Sequence, residues 1–465
     1  GFGLAAAIAV NSLTSTTQAH VEDSALNQDQ SNANFGQNLF VQAFSDSDVD
    51  VTAGSAALGL VGGIGASVDI TSVQTVTSAT IDNVSDTGFS SGSASVLNDL
   101  VVEADAERSV KSNVAAGAAG LGLGASGALS IVNVSSGLSA DAREAAADTE
   151  SVVTDQLNQL ESDGIVSTRR DFLSSTFGSP NEEGTTASAS GIVNAAENLS
   201  VLANETTTLD LDVGAGSAGL VAVGGGVAIA NVEQNANARI GEDSTVAVGN
   251  NINVQANGVV NADQIEASAG SVGLVGLGAA VVDVDSQNNV SASIGDRTDI
   301  NQSDDISVIA DATSNVGANA KGAAIGAAAV GIVTADATEN GTVRAFVGDE
   351  VEIKSADNLS VNAKADEAVS AVSQASSGGI LSGQGSLPKA EVKATVEAAS
   401  GDSSVINAKE NVDVISNVVV DGDADAKGVS IGAIAVGASL SEVDANTTIN
   451  TSVGDFTSIT ADNVT

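Results

Sequence analysis

The amino-acid sequence repeats itself at a nearly constant interval. A pattern of Asn or Asp, aliphatic, any residue, Val, any residue, small residue begins at Asn198, Asn251, Asp305, Asn358 and Asn411. Its aliphatic position advances from Leu199 in steps of 53, 54, 53 and 53 residues. A Gly-acid pair keeps the same beat at Gly241-Glu242, Gly295-Asp296, Gly348-Asp349, Gly401-Asp402 and Gly454-Asp455. Self-similarity at a period near 50 implies an array in which each unit buries its apolar face on its neighbours. Two earlier copies start at Asn38 and Asp99. The next, at Asn198, follows so late that its repeat holds an insertion of roughly 45 residues. Asn463-Val464-Thr465 opens a further copy, and Gly1–Val10 has the texture of Gly219–Ala230. The chain therefore reads as part of a longer array. A signal peptide at Gly1–Val10 would need basic residues before it.

Within each copy the side chains alternate. Leu199, Val201 and Ala203 are interleaved with Ser200, Leu202 and Asn204; Ile252, Val254 and Ala256 with Asn253 and Gln255. Period two is the mark of a strand with one face buried. The leading Asn or Asp suits a turn, and on stacking, Asn38, Asn198, Asn251, Asn358 and Asn411 would form a side-chain ladder with Asp99 and Asp305 as substitutes. The rest of each repeat, as in Gly219–Asn231, mixes Gly and Ala with Val, Ile and Leu. That many glycines, at roughly 1 kcal/mol each in a helix, exclude helix there. The expectation is an all-β chain: an elongated β-solenoid, or β-helix, of ~53-residue repeats. Strands about 4.8 Å apart would stack Glu242, Asp296, Asp349, Asp402 and Asp455 in a carboxylate column if each repeat is one coil. The repeat halves differ, which favours one irregular coil over two.

Composition narrows the functions available. Nine Phe, with no Tyr, Trp, Met or Cys, leave a thin core of Val, Ile, Leu and Ala and no disulfides or thiolate metal sites. The net charge of −44 argues against nucleic acid and anionic membrane, which are bound through Lys and Arg. No apolar run reaches the length of a membrane-spanning helix. The lone His20 fits an exposed strand position, and Pro180 and Pro388 fall where the repeat is irregular.

Residues 141–190 break the pattern. Asp141–Ser162 is rich in helix formers, with Val152, Val153, Leu157 and Leu160 at helical spacing, and a basic pair, Arg169-Arg170, follows. The expected organisation is irregular repeats over 1–140, a helical insertion over 141–190 and regular repeats over 191–465. Insertions in repeat arrays often carry binding function.

Signatures of chemistry are sparse. Gly122–Gly127 reads GxGxxG with Asp141 downstream, but a dinucleotide site needs a strand, a turn and a helix around it. A polysaccharide cleft would need aromatic platforms that this chain lacks. Two acidic triplets, Asp46/Asp48/Asp50 and Asp421/Asp423/Asp425, offer hard oxygens of the kind calcium takes, although neither completes an EF-hand. No other cofactor is suggested.

The Gly-aliphatic segments, Ala292–Asp296 (Ala-Ser-Ile-Gly-Asp) and Asn251–Ala256 together resemble the repeat arrays of giant filamentous adhesins, the leukotoxin-type and filamentous-haemagglutinin-type exoproteins of Gram-negative bacteria. The resemblance covers the repeats and excludes the insertion. It implies export by a two-partner route, a β-helical fibre and attachment to surfaces or matrix, with no catalytic residue. The expected function is thus non-enzymatic: the structural shaft of an extracellular or cell-surface fibre that self-associates and supports attachment, cell–cell contact or biofilm matrix. An alternative is a module that binds a cell-surface or glycan ligand through residues 141–185. A solenoid enzyme acting on polysaccharide is the weaker alternative.

Overall fold

Alternating patterns of this kind settle into strands only if each strand finds a partner with the same pattern, and here the partner is the next repeat. The computed structural model describes residues 1–22, 25–26, 38–82, 93–96, 98–136 and 184–465. The chain is all-β, with no helix among the described residues. Every pairing is parallel, and the register joins equivalent positions of successive repeats. Leu39 pairs with Leu100, Leu100 with Leu199, and the series continues through Ile252, Ile306, Leu359 and Val412. Each repeat is therefore one layer, not two. The single 54-residue step is absorbed locally: a register shift between Ala262 and Ile265 leaves Asp263 and Gln264 on the exposed side and restores the register beyond them.

One layer, taken from Leu199, runs out to Ala218, turns at Gly219 and returns to Ile240. It then crosses a tight corner at 241–244, runs briefly over Thr245–Val248, and enters the next layer after Asn251. Inward residues of the outgoing and returning runs pack together in two apolar compartments. One gathers Leu199, Val201 and Ala203 with Ala238, Ile240 and Val246. The other gathers Leu209, Leu211 and Val213 with Ala228, Ala230 and Val232. Burial comes from the layers on either side. Val396 is 0% exposed beneath the final layer, whereas its partner in that layer, Ile449, is 54% exposed.

Glycine decides where a layer turns. Gly59, Gly120, Gly219, Gly273, Gly326, Gly379 and Gly432 occupy the same corner of seven layers. A Cβ on Gly273 would stand 2.2 Å from the Gly219 carbonyl oxygen, and one on Gly379 would stand 1.9 Å from that of Gly326. Beside this corner the two runs close on each other. A Cβ on Gly226 would lie 2.7 Å from the Ser268 carbonyl oxygen, and one on Gly278 would lie 2.6 Å from that of Ala323. The Gly-Ala richness is thus the requirement of backbone meeting backbone.

One boundary needs correction. The insertion does not extend to 190: Thr185–Ala189 is a strand that pairs in register with Thr77–Ile81 on one side and Ala236–Ile240 on the other. The helix expected over Asp141–Ser162 lies outside the described residues, as does Pro180. Pro388, by contrast, sits inside a strand in register with Ala335, and the irregularity lies on its other side. Pairing to the following layer lapses between Ser386 and Lys389, which is what a residue without an N–H imposes on a ladder.

Candidate functional sites: an acidic corner, a buried polar seam and an uncharged edge

The Gly-acid pair builds a corner whose parts interlock along the array. The Asp349 N–H donates to Asp296 Oδ1 at 2.9 Å, that of Asp402 to Asp349 Oδ1 at 2.7 Å, and that of Asp455 to Asp402 Oδ1 at 2.6 Å. The carboxylates stack as expected, and Asp296, Asp349 and Asp402 each also accept a backbone hydrogen bond from the next layer. The preceding glycine makes room: a Cβ on Gly348 would fall 2.3 Å from Asp296 Oδ1. The third corner residue is left-handed throughout, with φ between 54° and 59° at Asp243, Arg297, Glu350, Ser403 and Phe456. The hydroxyls of Ser244 and Thr457 close the turn onto the carbonyls of Gly241 (2.7 Å) and of Gly401 in the layer before (2.7 Å). Arg297 bridges Glu242 (2.9 Å) and Asp243 (2.7 Å) of the previous layer, and its hydrogen bond holds the Asp243 carboxyl below the usual range.

The amide ladder also forms. Asn198 Nδ2 donates to Asp99 Oδ1 at 2.8 Å, Asn358 Nδ2 to Asp305 Oδ1 at 2.8 Å, and Asn411 Nδ2 to Asn358 Oδ1 at 2.8 Å. Asn463 extends it onto Asn411 at 3.0 Å. Stacked amides satisfy one another only at the strand spacing, so the ladder helps hold the register.

A feature that sequence reasoning missed lies between the two apolar compartments. The alternation that buries Leu199, Val201 and Ala203 continues through Glu205 and Thr207 to Leu209, and Glu205 is 1% exposed. Arg108, 0% exposed, donates from Nη1 to Glu205 Oε1 at 2.6 Å and to Thr207 Oγ1 at 3.4 Å, and from Nε to Thr75. Gln234 reaches Thr207 at 2.6 Å from the facing run. In the next layer Asn288 donates to the Gly258 carbonyl and to Ser314 Oγ, both at 3.2 Å. The seam then ends on two buried acids, Glu339 and Glu367, each 0% exposed. Burial pushes the Glu339 carboxyl up to about 8, with the Glu367 charge adding to the rise, and pushes that of Glu367 up to about 7. Neither makes an ion pair among the described residues, and Ser314 beside both offsets the shift only in part. Extending the alternation past the small residue, by one step to Glu205 and by two to Arg108 and Glu367, would have placed all three inside.

The outer faces are acidic and the corner at Gly219 is not. Stretches 54–68, 114–135, 213–232, 267–282, 322–335, 368–388 and 428–441 contain no Asp, Glu, Lys or Arg. Their corners carry large apolar side chains in water: Leu60 is 75% exposed, Leu121 74%, Leu220 58%, Leu274 59% and Ile380 64%.

The calcium candidates are not brought together. Asp46, Asp48 and Asp50 alternate along the exposed face of the strand Leu39–Gly59, about 7 Å apart by strand geometry. Asp421, Asp423 and Asp425 lie likewise along Val405–Ser439, where Asp425 pairs with Lys427. No group of three or more His, Cys, Asp or Glu side chains placed to hold a metal occurs among the described residues. His20 is on an exposed strand position, with Nε2 3.1 Å from Glu22. Gly122–Gly127 runs from the glycine corner into the strand Leu123–Ser135, without the helix that a dinucleotide site requires. Compared with known protein families, curated proteins and solved structures, the chain finds no match.

Proposed function

We propose that the chain is the shaft of an extracellular bacterial fibre or filamentous adhesin, a β-solenoid that supports surface attachment, cell–cell contact or matrix formation. The observation that carries this reading is the register, which joins equivalent positions of successive repeats and is restored after each local shift. Layers that bury one another can be added without limit, so length is set by repeat number alone. Acids placed along outward strand positions, such as Asp46, Asp48 and Asp50, suit a shaft that stands in water. Val396, 0% exposed, is covered by Ile449 of the layer after it, so each layer offers an apolar surface to the layer that follows. Concentrated samples, examined by electron microscopy and fibre diffraction, should form filaments with a meridional spacing of about 4.8 Å. Discrete particles at every concentration would count against the fibre.

A second reading, ligand binding through the insertion, is favoured by one observation. The layer closes without residues 137–183: the Ser136 N–H bonds the Glu233 carbonyl at 3.1 Å, and Thr185 resumes the strand. Deleting residues 138–182 should leave strand content and filaments intact. Loss of attachment to cells by that variant, with filaments preserved, would assign binding to the insertion.

A further inference from the structure

We infer that the uncharged edge is a lateral docking surface for a second copy of the chain, pairing arrays side by side. The inference deepens the fibre reading, and it rests on the chemistry of the edge itself.

The edge is apolar in layer after layer while the chain as a whole carries a charge of −44. In the layer of Gly219 the nearest acid in sequence is Asp212, and in that of Gly273 it is Glu266. Seven residues of strand place such a carboxylate about 23 Å from the corner, well beyond the ~8 Å screening length at physiological salt. Two copies meeting edge to edge therefore bring no acids close together, whereas face-to-face contact would oppose two acidic sheets. The partner must also offer apolar side chains at every layer spacing, and a second array does so along its full length. Neither an isolated receptor nor a basic partner matches a neutral ridge that recurs in this way.

The size of the strip fixes the strength. Seven layers at about 4.8 Å and a width of about five residues give on the order of 500 Å² per partner, against about 800 Å² for a standard interface. This chain should pair weakly and reversibly, and a longer array more tightly. The strip is nevertheless as large as the largest exposed apolar patch of an ordinary monomer.

The test is sedimentation of the full chain over a concentration series at physiological salt, comparing wild type with the triple variant L220D/L274D/I380D. All three side chains already face water, so circular dichroism should be unchanged. Pairing should weaken about tenfold or more in the variant, while end-to-end growth, which uses other surfaces, persists. Because the chain has no Cys, single replacements report directly on contact. Leu274 lies in the fourth of the seven layers, so L274C should cross-link between copies with a short bis-maleimide, and N301C, away from this edge, should not. Equal sedimentation of wild type and triple variant would overturn the proposal, as would equal cross-linking at both positions. So would flotation of a strictly monomeric wild type with neutral phosphatidylcholine vesicles, which would assign the edge to a lipid surface instead.

Discussion

At Glu339 and Glu367 the chain buries two carboxyl groups without a basic partner among the described residues, whereas at Glu205 it supplies Arg108. Breaking a buried pair such as Arg108–Glu205 leaves one charge stranded, so these two residues depend on each other. The unpaired acids give the chain a pH dependence instead. Both carboxyls titrate higher in the folded protein than the ordinary 4.5, at about 8 and about 7. Between those limits the native state holds more protons than the unfolded one, so stability falls as pH rises. Asp69, Asp283 and Asp285 are also raised by burial and act in the same direction. Melting followed by circular dichroism should show the midpoint dropping from pH 6 to about 8 and levelling above. The E339Q/E367Q variant should be nearly flat over that interval, and an unchanged slope would remove the pair as its cause.

For the strand and its corner, glycine separates into two kinds with opposite consequences. At Gly273 a methyl group would meet backbone that belongs to another layer and cannot move alone. At Gly225 nothing lies within 4 Å of the same methyl. G273A should therefore destabilise by about 2 kcal/mol or more, in the manner of an overpacked core. G225A should be neutral or stabilise by about 0.5 kcal/mol, because alanine restricts the unfolded chain. Urea midpoints of the two variants check this, and equal loss at both sites would refute the corner as the cause. The strand pattern and the Asn ladder were legible because each depends on alternation and on repetition, both visible along the chain. The polar seam was overlooked because a charged residue at an inward position reads as the end of the pattern until a facing run supplies its partner, as Gln234 does for Thr207.

For the molecule as a whole, proportions and charge matter more than any single contact. A returning run such as Ala328–Val347, 20 residues long, extends about 66 Å, while each layer adds only about 4.8 Å. Length along the array must come from many layers, and the apolar edge runs through all seven described corners. The basic residues are few; some reach across to acids of adjacent layers, as Lys321 does to Glu266 at 2.8 Å and Arg344 to Glu397 at 2.8 Å, and others pair along their own strand, as Lys389 does with Glu391 at 2.6 Å. Half-exposed pairs of this kind contribute little each, so repulsion among the remaining acids is only partly offset. Thermal stability should rise with NaCl as that repulsion is screened. Replacing Asp349 and Asp402 with Asn should reduce the slope, since both stand in the carboxylate column. A flat response to salt in the wild type would show that the stacked acids are already neutralised.

The amino-acid sequence by itself determined the period, the strands, the turn residues and the stacking of like on like, because those follow from alternation and from the repeat length. It did not determine that one repeat is one layer, which needs the register between chain segments 53 residues apart. Nor did it separate a glycine that turns a corner from one that merely lies on a sheet, or an acid on the outer face from one sealed in the seam. Those distinctions depend on which backbone or side chain lies opposite, and only the folded packing of neighbouring layers brings the two together.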